Sequence, residues 1–142
     1  MENIKRFVRQ VLGCECPEEV FNHIESTYSI PLDNGIVLHH RINIGNRLLV
    51  YVVIAASASF VQEALPELVK TGRDERDRKG FNRFRLVLAS DKVNEITKVA
   101  ERTFQTLPCL DDKIHLHVAE KNAVSFLEGN EPGGSQPPPV QI

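Results

Sequence analysis

Residues 36–56 constrain the fold more than any other stretch. Ile36, Leu38, His40, Ile42 and Ile44 alternate with Val37, His39, Arg41 and Asn43. A period of two is that of a strand buried on one side. Gly45-Asn46 follows, and these residue types suit the two-residue hairpin turn that needs positive φ. Residues 47–56 are nearly continuous apolar sequence, the pattern of a central strand covered on both faces. A chain with this hairpin must build a sheet and supply layers for both sides of it.

The remaining segments supply those layers. Ile4, Phe7, Val8, Val11 and Leu12 recur at helical spacing and predict an amphipathic helix ending at Leu12. A second helix is expected from Pro17 to about Tyr28, with Val20, Phe21 and Ile24 on one face. Pro31 and Asp33-Asn34-Gly35 end it. Ser57-Ala58-Ser59 leads into a third helix carrying Phe60, Val61, Ala64, Leu65, Leu68 and Val69, with a kink or restart at Pro66. Residues 71–82 read as a charged connection and 83–89 as a strand. Ser90 or Asp91 caps a fourth helix whose inward residues are Val93, Ile96, Val99, Ala100, Thr103 and Phe104, and which ends at Leu107-Pro108-Cys109. Residues 113–119 alternate as a last strand, and 120–128 add a short helix or edge segment.

The expected order is α-α-β-β-α-β-α-β. It gives an α/β fold (α+β is the neighbouring class) with a mixed four-stranded sheet packed with helices. The strands joined by helices run parallel, and the first strand pairs antiparallel through the hairpin. Residues 1–128 form one domain, a size that 142 residues accommodate. Residues 129–142 are rich in Gly, Ser, Gln and Pro and are expected to be disordered, in part polyproline II.

Chemistry concentrates at residues 12–21. Pro17 suits the first position of a helix, Glu18 and Glu19 suit its first turn, and Cys16 then becomes the N-cap. A thiol there is activated by the helix, but Glu15, Glu18 and Glu19 disfavour a second negative charge. The same carboxylates attract a cation, so the local field favours a metal-bound pair of thiolates at Cys14 and Cys16. The plainer reading, at even odds, is two small buried apolar side chains. The segment L-G-C-x-C-P-E-E-V-F resembles the N-terminal part of a small family of uncharacterised bacterial and archaeal proteins. The resemblance covers these residues alone and implies a shared motif without an activity.

With the expected topology, Cys14, Cys16 and Cys109 fall on the rim at the N-terminal ends of the parallel strands. His115 and His117 share one face of the last strand, and His115 is the candidate fourth ligand of a zinc or iron–sulfur species. His117 reads as a polar-face residue and His40 as a core residue. Residues 70–85 on the same rim hold seven basic and three acidic side chains. A run of this kind is usually a solvated surface, but near thiols it favours thiolates or an anionic partner. Ser57 and Ser59, at the C-terminal end of a parallel strand, form with Arg83 and Arg85 a candidate anion or nucleotide site, although no glycine-rich loop or P-loop Lys accompanies them.

A net charge of −2 gives no global attraction to nucleic acid or anionic membranes. Lys79-Gly80-Phe81 matches only the opening of an RNA-recognition pattern, so RNA is disfavoured. No apolar run reaches membrane-spanning length. Three cysteines without a secretory leader suit a reducing cytoplasm. The sequence therefore points first to metal binding or thiol redox chemistry at Cys14, Cys16, Cys109 and His115. A non-catalytic interaction module, as a homodimer or with a protein partner, stands second, and an anion or nucleotide binder third.

Overall fold

The computed structural model describes residues 2–13, 18–32, 35–108 and 110–124. A short α-helix, α1 (Glu2–Arg6), continues as a π-helical turn over Phe7–Val11, closed by the Leu12 N–H on the Phe7 carbonyl at 3.3 Å. A 3₁₀ turn (Glu18–Asn22) leads into β1 (Ile24–Pro31). The elements β2 (Val37–Ile44), β3 (Leu48–Ile54), α2 (Ala58–Lys79), β4 (Arg83–Ser90), α3 (Val93–Gln105) and β5 (Ile114–Glu120) follow. The fold is mixed α/β, and the sheet has five strands in the order β1-β2-β3-β4-β5. β2 is antiparallel to β1 and β3, whereas β3, β4 and β5 are parallel.

The fifth strand corrects the sequence reading, in which residues 17–28 form a helix. Only the five residues Glu18–Asn22 are helical, because the chain must enter the sheet at once. Val20 is buried against the β2–β3 turn, and the Gly45 N–H donates to the His23 carbonyl at 2.6 Å. From Ile24 the sequence alternates and is rich in Ile, Thr and Tyr, residues that fit a pleated surface. Gly45 (φ 62°) and Asn46 (φ 55°) form the expected turn, and the Arg47 N–H closes it on the Ile44 carbonyl at 3.1 Å. A Cβ on Gly45 would lie 2.7 Å from the Val20 carbonyl oxygen, so this glycine is needed for close approach as well as for φ.

α2 is a second correction. It runs unbroken through Pro66 and absorbs most of the stretch read as a connection. Pro66 is exposed, as is Gln62, whose carbonyl loses its helical partner and faces water. Further on, Gly72, Glu75 and Arg76 continue the buried stripe of Leu65, Leu68 and Val69. Two of them are charged, and each is buried with partners, which hides the stripe from a hydropathy reading. Gly80 (φ 78°) ends the helix, with the Phe81 N–H on the Arg76 carbonyl at 2.9 Å.

α2 and α3 pack together over β3, β4 and β5 on one face of the sheet. Leu49, Tyr51 and Val53 meet Phe84, Leu86 and Leu88 beneath them. α1 and its continuation cover the other face through Ile4, Phe7, Val8 and Leu12, which pack with Ile42, Val50, Val52 and Val87. β3 is apolar throughout because both of its faces are covered. The single-face set expected for β2 is divided instead: Ile36 and Leu38 join the α2 side, and Ile42 and Ile44 the α1 side. The β2–β3 ladder ends at His40↔Val52, whereas β1 and β2 stay paired on to Pro31↔Val37, with Ser29 at φ 50° where the pairing is interrupted. No helix among the described residues is long and apolar enough to cross a membrane. The tail expected to be disordered lies outside the described residues.

Candidate functional site

The hairpin register places Arg41 of β2 directly opposite Tyr51 of β3, on the α2 side of the sheet. α2 approaches closely here because Gly72 has no side chain. A Cβ on it would fall 2.1 Å from the fully buried Phe84 ring. Phe84 in turn meets the Tyr51 ring edge-on, with centroids 4.9 Å apart. This packing brings Glu75, one helical step beyond Gly72, onto both strand residues. Its carboxylate accepts from the Tyr51 hydroxyl at 2.5 Å and from the Arg41 guanidinium, and Lys79 stands 3.2 Å away.

Burial alone would raise the Glu75 pKa. The bonds from Arg41 and Tyr51 outweigh burial and hold it at about 2. Burial and the Glu75 charge push the Tyr51 hydroxyl well above its ordinary range, so it remains a donor. A parallel lock lies one residue along. Arg76 makes a two-pronged contact with Asp111 at 2.9 and 2.7 Å, and this bond holds Asp111 at about 2. It ties the end of α2 to the segment that enters β5.

The network forms the floor of a groove of about 430 Å³ between α2 and the β1–β2 end. Ile30, Leu32 and Leu38 make one apolar wall. Glu67, Lys70, Thr71, Asp74 and Arg78, on successive turns of α2, make the opposite one. Glu75 is fixed as an anion and Tyr51 as a hydroxyl, so neither is poised to exchange a proton near neutral pH. The geometry suits recognition of a bound molecule. None of the floor residues stood out in the sequence: Arg41 read as a polar strand position, Tyr51 as part of an apolar run, and Glu75 as part of a solvated charge run. The usable signal was the helical spacing that continues past Val69.

A second polar cluster lies on the opposite face. Arg85 and His115 are ladder partners of β4 and β5. Arg85 Nη1 donates to the Leu12 carbonyl at 3.1 Å and lies 2.9 Å from His117 Nε2. A guanidinium only donates, so this nitrogen accepts and the His117 proton sits on Nδ1. Burial, then Arg85, then His115 lower the His117 pKa to about 4. Burial and the two arginines Arg85 and Arg83 lower that of His115. Burial also lowers that of Arg85, followed by the charge of Arg83. No carboxylate pairs with Arg85 among the described residues, and its Nε and His115 Nε2 are buried without a hydrogen-bond partner.

The sequence candidates are distributed as follows. His115 and Arg85 are brought together, and His117 joins them. Ser57 accepts from the Phe60 N–H at 3.2 Å as the cap of α2, and Ser59 is exposed on its first turn. Both follow the C-terminal end of β3, whereas Arg83 opens β4 opposite Leu48 at the other end. Six ladder steps, about 20 Å, separate the two ends, so Ser57 and Ser59 do not form one anion site with Arg83 and Arg85. His40 is fully buried, with its ring 4.9 Å from that of Tyr28. Cys14, Cys16 and Cys109 lie outside the described residues, and among the described ones no group of three or more His, Cys, Asp or Glu is placed to hold a metal ion. Comparison with family models, curated proteins and solved structures finds no match.

Proposed function

We propose that this chain is a binding protein for a small organic molecule, held in the groove between α2 and the β1–β2 end. The observation that carries this is the half-buried Arg41 at the groove floor. Glu75 takes one of its nitrogens, and among the described residues no group takes Nη1 or Nε. Open donors beside an apolar wall in a recess of this size are the ordinary make-up of a ligand site. An NMR screen of the ¹⁵N-labelled chain against carboxylic acids, amino acids, sugars and nucleotides tests it. A ligand should shift the amides of Arg41, Tyr51, Lys70 and Thr71, and Leu32→Trp should block it. Shifts confined to another region would overturn the reading.

The Arg85 cluster supports a second reading, thiol chemistry at Cys14 and Cys16. The chain is anchored to Arg85 at the Leu12 carbonyl, two positions before Cys14. A guanidinium with no acidic partner among the described residues favours an anion such as a thiolate nearby and disfavours a metal cation, although His115 retains a nitrogen for one. The pH dependence of alkylation, with elemental analysis of protein purified without oxygen, separates these. Thiol redox chemistry predicts a thiol titrating below the usual range, raised by Arg85→Leu, and no bound metal. About one equivalent of zinc or iron, lost in Cys16→Ser or His115→Ala, would replace it with a metal site that also uses Cys14 or Cys109.

A further inference from the structure

The groove's charges narrow what it can hold. Its lining contains three cations, Arg41, Lys70 and Arg78, and three anions, Glu67, Asp74 and Glu75. A balanced lining gives a polyphosphate no net attraction. A purely apolar molecule would bury the open donors of Arg41 without a partner, which is unfavourable. Asp74 is an exposed carboxylate on the helical wall that makes no ion pair or hydrogen bond among the described residues. Among the described residues, Glu67, two turns before it, accepts only from Thr71, at 3.5 Å. The floor therefore offers donors to an anion, the helical wall offers the carboxylates of Asp74 and Glu67 beside Lys70 and Arg78, and Ile30, Leu32 and Leu38 offer an apolar surface.

Resting on the groove as the binding site, we infer that its ligand is a zwitterionic α-amino acid with an apolar side chain. The carboxylate lies on the open edge of Arg41, the ammonium faces Asp74 and Glu67, and the side chain rests on Ile30, Leu32 and Leu38. Removing the ligand carboxylate takes an acceptor from the open donors of Arg41, and removing the ammonium takes a counter-charge from Asp74.

Calorimetry and NMR on the full chain, with L-leucine, leucinamide, 4-methylpentanoate and glycine as probes, test this. Leucine should shift the groove amides. Leucinamide, 4-methylpentanoate and glycine should each bind about tenfold more weakly or worse, a change of about 1.4 kcal/mol. Asp74 is exposed, so Asp74→Asn should fold normally. It should weaken leucine and leave 4-methylpentanoate unchanged, a split that a general loosening of the groove would not produce. If 4-methylpentanoate or a molecule of another class shifts the groove amides as well as leucine or better, the zwitterion assignment is overturned and the groove stands as a site. If no molecule shifts them, both fall.

Discussion

The two faces of the sheet treat buried charge in opposite ways. On the α2 side, Arg41 and Arg76 each meet a carboxylate, Glu75 and Asp111, and those acids are held ionised. On the α1 side, Arg85 meets among the described residues only a carbonyl and a neutral imidazole. Burial works against the charge of both Arg41 and Arg85, yet the pKa of Arg41 is raised by its bond to Glu75 and that of Arg85 is lowered. One face pairs its buried arginines with acids around a groove, and the other retains a cation whose counter-charge is missing among the described residues. The difference separates a network that holds the fold from a cluster that carries an unbalanced charge.

Removing one arginine from each face breaks the comparison most directly. Arg41→Met strips Glu75 of its main partner inside the protein, and losing one member of such a pair should cost about 3 kcal/mol. Arg85→Met removes a cation that strands no acid among the described residues, and should cost about 1 kcal/mol or less, the scale of its two neutral hydrogen bonds offset by the relief of burial. Urea unfolding midpoints measure both. Equal losses would mean that the α1 face holds a compensating acid. In the double variant Arg41→Met/Glu75→Met, part of the first loss should return, because no lone charge then remains buried.

Acid sharpens the same contrast. The Glu75 pKa falls from 4.5 to about 2 on folding, and that of Asp111 from 3.8 to about 2. Both unfolded-state values lie above the folded ones, so the unfolded chain binds more protons in this range. The stability from these groups is present above about pH 5 and is lost as pH falls toward 2. Glu75→Gln should lower stability at neutral pH yet make the acid limb shallower by up to one proton. An unchanged slope in that variant would show that the carboxylate is not locked by Arg41 and Tyr51.

What the sequence revealed follows the kind of interaction involved. Strands made by alternation or continuous apolar runs, β2 to β5, were legible, and so was the Gly45-Asn46 turn, whose φ requirement is local. β1 was not, because Val20, Phe21 and Ile24 mimic a helical stripe over a few residues and only the open edge of β2 decides between the two. The second half of α2 was hidden for a different reason. Its buried face carries Glu75 and Arg76, whose burial depends on Arg41, Tyr51 and Asp111, between 24 and 35 positions away. The pairing of Arg85 with His115 and His117 was partly legible, since strand alternation put both imidazoles on one face, but their neighbour on β4 needed the ladder register.

The smallest effect isolates the α1 face. The His117 pKa is depressed from 6.5 to about 4, first by burial and then by Arg85. The unfolded imidazole therefore takes up its proton earlier as pH falls. Stability is full above about 6.5 and declines through the window down to about 4, above most of the range in which the α2-side carboxylates titrate. His117→Asn should leave the lower limb intact and remove most of this upper limb, except the smaller part that comes from His115, whose pKa is also lowered. Arg85→Met should only shrink it, because burial, the largest cause, remains when the guanidinium is gone. Stability measured by urea at closely spaced pH values resolves the two limbs. If His117→Asn moves the lower limb as well, the two faces titrate as one coupled unit across the sheet, and the electrostatic independence of the groove would be lost.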